Sequence, residues 1–323
     1  MGGQSEARPR GFKKSILPAM RLPWQLALAT VAALACGCSD SGQAQPGAVL
    51  AQRDVPVEAA GRIDAFAAAP DWDGLIEVLR QSHALTRELL GPHRLRYRAE
   101  IETGPAGLDF ATPLPDPKVD DAIIERFAVV DELELLWGGA EGAAGGSAKA
   151  GPRLHLSQHN QHGFGRELIV IDDQAWSALD GRGWLERPVE SELWQLWADD
   201  AQHAILDLVE LAGPHAELGA VEQRGGEDEG TATVHVSLRA ADRRIGERVV
   251  EAPTPWRRDA TVELVAASIV LDRATGLWLE AEVELRWSFE DSAGRELSGR
   301  ARFEGSVEPL AAPPEIHPPS ESE

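Results

Sequence analysis

Apolar and polar side chains alternate along residues 277–290. Leu277, Leu279, Ala281, Val283, Leu285, Trp287 and Phe289 fall on one parity, and Glu280, Glu282, Glu284, Arg286, Ser288 and Glu290 on the other. A period of two is that of a strand with one face on a core and one face in water. The pattern recurs in Leu95, Tyr97, Ala99 and Ile101, set against Arg94, Arg96, Arg98, Glu100 and Glu102. It recurs again in Phe127, Val129, Leu133, Leu135 and Trp137, in Val234, Val236 and Leu238, and in Leu297, Gly299, Ala301, Phe303, Gly305 and Val307. Further strands are predicted over 154–156, 168–171, 175–179, 184–187 and 262–271. Asp180-Gly181, Asp272 to Gly276 and Asp291 to Gly294 supply the turns between neighbours. Trp278 is the exception, falling on the parity otherwise held by Glu and Arg, where it would cross to a neighbour or mark an outer contact patch.

Two segments change to a helical period. Trp72, Leu75, Ile76, Leu79, His83, Thr86, Leu89 and Leu90 recur at spacings of three and four, predicting one amphipathic helix over 73–90. Asp71 or Asp73 can cap it, and Gly91-Pro92 stops it. A second helix is predicted over 191–212 behind Ser191, with Leu193, Leu196, Trp197, Ala201, Ala204, Ile205, Leu208, Val209 and Ala212 on one face and Gly213-Pro214 at its end. Long one-sided antiparallel strands form a sheet that twists and curls, and its apolar concave face must be covered. The expected fold class is therefore α+β: a curved antiparallel β-sheet, an unclosed half-barrel, covered by two amphipathic helices.

The N-terminus follows a different logic. Arg8, Arg10, Lys13, Lys14 and Arg21 precede an apolar run from Trp24 to Leu34, too short to span the roughly 30 Å core of a bilayer as a helix. It reads as an export signal. The run ends in Leu34-Ala35-Cys36-Gly37-Cys38, which holds both cysteines of the 323-residue chain. Small residues followed by cysteine resemble the lipobox of bacterial lipoproteins, in which the thiol receives diacylglycerol. Either Cys36 or Cys38 can fill that role, and Cys36 lies where the apolar run stops. An ordinary secretory signal is the alternative. Neither cysteine is followed by Asp, so the common retention rule implies outer-membrane sorting. The expected organisation is a lipoprotein signal peptide over 1–35, a flexible tether over 36–69, a half-barrel domain over 70–310 and a disordered tail over 311–323.

Charge narrows the partners. The chain has 31 Lys and Arg against 53 Asp and Glu, a formal charge of −22. Residues 1–35 carry five basic side chains and one acid, so their removal takes the charge to −26. A body this acidic repels phosphate backbones, which argues against nucleic acid, and it repels an anionic bilayer, leaving the lipid as the attachment to the membrane.

The order of elements resembles the LolA superfamily of envelope lipoproteins and lipoprotein carriers, which includes LppX and LprG. The matching features are a helix before the first strand, the strand-turn-strand from Leu168 through Asp172-Asp173 to Trp176, a helix interrupting the sheet, and the segment Ile269-Val-Leu-Asp-Arg-Ala-Thr-Gly-Leu277. The likeness spans roughly residues 70–308. It implies a half-barrel over an apolar cavity that holds a lipid or lipoprotein acyl chain, and it implies no catalytic residue. Trp194 and Trp197 on the second helix, with Val283, Leu285 and Trp287 on the late strand, are the expected cavity lining. The alternative is an interaction protein with a filled core and no ligand.

The remaining chemistry is thin. His155, His159 and His162 form the sole histidine cluster. On a strand His155 and His159 share a face about 13 Å apart, at about 3.3 Å per residue, too far to chelate one metal. A polar face leading into a hairpin is expected there, without metal or cofactor. Arg94, Arg96 and Arg98 could pair with the stripe of Glu280, Glu282 and Glu284 if the two strands are neighbours. No nucleophile elbow, zincin motif, phosphate loop or dinucleotide turn is present, and catalysis is not expected.

Overall fold

A computed structural model describes residues 55–81, 83–107, 126–140, 151–188, 193–225, 232–246, 248, 260–291 and 293–320. Cys36, Cys38 and the expected export signal lie outside the described residues. Among those described, eleven strands form one open antiparallel sheet. They are β1 (His93–Pro105), β2 (Phe127–Ala140), β3 (Pro152–Asn160), β4 (Gly165–Ile171), β5 (Gln174–Leu179), β6 (Leu185–Pro188), β7 (Ala216–Arg224), β8 (Thr233–Ala240), β9 (Thr261–Asp272), β10 (Trp278–Glu290) and β11 (Glu296–Pro309). The spatial order is β6-β5-β4-β3-β2-β1-β11-β10-β9-β8-β7. The chain thus meanders outward from the centre through β6, crosses to the opposite edge, and meanders back until β11 pairs with β1. Their register runs from His93 opposite Pro309 to Pro105 opposite Leu297.

The edges of the open sheet are protected. β6 is four residues long, fully exposed and ends in Pro188. β7 carries a register shift between Leu218 and Val221 and alternates Glu217, Glu222 and Arg224 with its other residues. A short strand, a proline, a bulge and charges each discourage pairing with another chain.

Among the described residues there are four α-helices, α1 (Val57–Ala68), α2 (Trp72–Leu79), α3 (His83–Leu90) and α4 (Leu193–Ala212), where the sequence predicts two. α1 lies within the segment expected to be a tether. Its Ala59, Ile63 and Phe66, at spacings of four and three, are buried in the common core, so the folded unit begins before residue 70. The helix predicted over 73–90 is two helices, the first ending at Leu79 and the second starting at His83. Asp71 caps α2, its carboxylate accepting a hydrogen bond from the Gly74 amide at 2.7 Å. At the other end, residues 311–320 form no helix or strand and are mostly exposed. The Leu310 amide donates to the Pro92 carbonyl at 2.8 Å, and Ile316 lies half-buried beside Gly138.

α4 carries the chain between the two edges and packs on both β2 and β10, which are separated by β1 and β11. Trp197, Ala201, Ala204, Ile205, Leu208, Val209 and Ala212 are buried as predicted, and so are Ala198, Leu206 and Leu211. Leu196, assigned to the apolar face, is 55% exposed. Trp278 is brought inside by a bulge: two residues of β10 oppose one of β9 between Trp278 and Glu280. That extra residue reverses its side chain from the polar parity to the core face, where it packs against the apolar cluster.

The middle of the sheet is lined with small residues so that large ones can lie flat on it. Trp287, 2% exposed, spreads its indole over the backbone of its cross-strand partner Gly299. Phe303 folds over Gly305 and meets Tyr97 with ring centroids 5.3 Å apart. A Cβ on residue 299 would overlap the Trp287 ring. Gly299→Ala should therefore destabilise the fold by about 1–3 kcal/mol through overpacking. Chemical denaturation followed by tryptophan fluorescence measures this, and an unchanged midpoint would show that the ring is free to move aside.

Candidate functional site

The polar face of the sheet carries a trough of about 670 Å³ that crosses six adjacent strands, β3, β2, β1, β11, β10 and β9. Its walls follow directly from the alternation in the sequence. Two cross-strand rows run its length. One is His159, Glu132, Arg98, Glu304, Glu282 and Ser268; the other is Ser157, Glu134, Arg96, Ser306, Glu280 and Val270.

The charges do not balance. Arg98 donates to Glu132 at 2.9 Å, and Arg96 lies 2.6 Å from Glu134. Burial lowers the Arg98 pKa, opposed by the carboxylates of Glu132, Glu304 and Glu100. These two arginines are thus matched by β2, and Glu280, Glu282 and Glu304 remain in excess. None of the three makes an ion pair within 4 Å among the described residues. Glu282 and Glu304 stand directly opposite each other on β10 and β11, an arrangement that costs stability. The arginine and glutamate stripes are not neighbours as strands, because β11 lies between β1 and β10. The next carboxylate along β10, Glu284, is by contrast well supplied, with Arg300, Arg302 and Arg286 at 3.3, 3.8 and 3.5 Å.

The opposite, apolar face is buried. Trp197, Val283, Leu285 and Trp287 are 8, 5, 0 and 2% exposed and belong to one continuous core, with Trp194 half-buried against it. Trp194 stacks on Trp137 at 6.3 Å, and the Arg87 guanidinium lies over the Trp137 ring, 5.4 Å from its centroid. Arg87 also holds Asp199 at 2.7 Å, fastening α4 to α3.

Sequence reasoning missed a buried polar chain on this face. Gln158 donates to Asp131 at 2.9 Å, and Arg166 donates to Gln158 at 2.7 Å and to Asp200 at 3.4 Å. The Arg166 guanidinium lies 5.1 Å from the Trp197 ring. The chain links β2, β3 and β4 to α4. Its signal was present: Asp131 and Gln158 occupy core parity in strands otherwise apolar there. Burial pushes the Asp131 pKa up to about 6, partly offset by the Gln158 hydrogen bond and Arg166. Burial also raises the Asp200 pKa.

The histidines remain separate. His159 faces Ser157 at 2.8 Å and Glu167 at 3.3 Å on the polar face. His162 sits in the following turn, 2.9 Å from the Ala128 carbonyl and stacked on Phe127. Burial lowers the His155 pKa. Among the described residues no group of three or more His, Cys, Asp or Glu side chains is arranged to hold a metal ion. No described helix is long and apolar enough to cross a membrane.

Asp131 gives a pH-dependent test. An unfolded Asp ionises near 3.8 and this one near 6, so the folded state retains the proton longer. Its stabilising effect is complete below about pH 4 and is lost as pH rises through 6, a change on the order of 3 kcal/mol. Asp131→Asn should gain stability over the parent at pH 7 and lose that advantage at pH 4, as read by urea denaturation at the two values. A difference independent of pH would refute the assignment. No protein-family model matches this chain, and no curated protein matches it either.

Proposed function

We propose that this chain is a lipid-anchored bacterial envelope protein that works as an interaction module. Its half-barrel core is filled by its own helices, and its polar trough docks a cationic segment of a partner protein. The excess of Glu280, Glu282 and Glu304 in the trough carries this reading. A positively charged segment laid across β11 and β10 would relieve the opposition of Glu282 and Glu304, and the trough would present its carboxylates to it from both walls. The packing of Trp197, Val283, Leu285 and Trp287 into one core favours a docking role over acyl carriage inside the barrel. The likeness to the LolA superfamily then extends to architecture and to envelope location, with a different use of the scaffold. No catalytic step and no cofactor is part of this reading.

The trough is tested with the mature protein and an oligo-arginine peptide in isothermal titration calorimetry. Binding should weaken steeply with added salt, since the Debye length shrinks to about 8 Å at physiological ionic strength. Glu282→Gln with Glu304→Gln should weaken it by about tenfold, near 1.4 kcal/mol. Absence of binding at low salt, or an affinity indifferent to both substitutions, would rule out the docking role. Uptake of a fluorescent fatty acid by the parent protein would return the acyl-carrier reading to first place.

The anchor is tested separately. Replacing Cys36 and Cys38 together by Ser should abolish acyl labelling and leave an uncleaved precursor in the membrane fraction. Normal processing after loss of both thiols would mean an ordinary secretory signal.

A further inference from the structure

A second, much smaller cavity of about 20 Å³ lies on the helical side, where the break between α2 and α3 meets α4 and the start of β10. Leu79, Leu277 and Trp278 supply apolar wall, and Gln81, Thr86 and Gln202 supply polar groups. Gln81 and Gln202 are 5 and 6% exposed, so both amides have left bulk water. No protein group among the described residues hydrogen-bonds the Nε2 of Gln81 or either terminal atom of Gln202. Leaving such groups unsatisfied costs about 1–3 kcal/mol each.

We infer that this cavity binds one ordered water molecule that bridges the side-chain amides of Gln81 and Gln202. The space suits it: about 10–15 Å³ suffices for a water, and 20 Å³ is far too little for an acyl chain. The chemistry suits it as well. Whichever way the Gln202 amide is turned, it presents a donor end and an acceptor end, and Gln81 adds a second donor. A water can accept from one glutamine and donate to the other, which an apolar ligand or a cation cannot do. The bound water then acts as a joint. It connects the segment just after α2 to the middle of α4, beside the bulged start of β10, at the point where the single helix predicted over 73–90 gives way to two.

The test uses the mature protein labelled with ¹⁵N-glutamine. Rotating-frame cross-relaxation should connect water to the side-chain amide protons of both Gln81 and Gln202, and crystallographic density should show a solvent peak about 3 Å from each. In Gln81→Leu the water contact at Gln202 should weaken or vanish, with tryptophan fluorescence confirming that the variant is folded. Should that variant fail to fold, the parent spectra and density decide the matter alone. A direct bond from Gln202 to a protein group, with no water contact in the parent, would overturn the inference. Persistence of the Gln202 contact unchanged in a folded Gln81→Leu protein would overturn the bridge.

Discussion

An open sheet with one apolar face cannot exist in water unless that face is covered, and every other feature of this molecule follows from how the cover is made. The chain has no cysteine beyond Cys38, so no disulfide can stand in for burial in the folded unit. α4 is the principal cover. It buries residues around most of its circumference, and each fully buried large aliphatic side chain contributes about 1.5–3 kcal/mol. Because the same helix is also the connection between the two edge strands, covering the sheet and completing its topology are one event. Non-local pairing is concentrated at the β1–β11 seam, where the first and last strands meet.

The cover is fastened asymmetrically. Apolar contact dominates the C-terminal half of α4, whereas its N-terminal half is held by Arg87, Arg166 and the stacked Trp137 and Trp194. A guanidinium over an indole adds to packing without requiring full burial of the charge. The buried chain from Asp131 to Asp200 is directional and specifies where α4 sits along β2 to β4, a role that apolar contact performs poorly. It also makes the contact between helix and sheet sensitive to protonation, because Asp131 is held in a site that disfavours its charge.

The two faces of the sheet divide the work. On the apolar face, Gly299 and Gly305 accommodate the rings of Trp287 and Phe303, both buried. On the polar face, arginine and glutamate side chains rise around a trough that is lined in part by Gly305 and Ala281. A single alternating sequence therefore encodes both a packed interior and a charged concavity.

Local sequence alone determined the alternation of faces, most strand positions and the long helix before β7, because each depends on the spacing of side chains a few residues apart. Polar residues at core parity, Asp131 and Gln158, were visible there too as breaks in the pattern. Other features were decided only by tertiary structure. α1 is rich in alanine and commits only Ile63 and Phe66 as large apolar groups, so its membership in the core depends on the cleft it enters. The break between α2 and α3 falls in a stretch of sequence without proline or glycine, so no residue there marks it. Trp278 changes face through a bulge that is a property of two strands, not one. Above all, the sequence carried the arginine and glutamate stripes but not their separation by β11, since which strands become neighbours depends on contacts more than two hundred residues apart in the chain, as between Arg96 and Ser306.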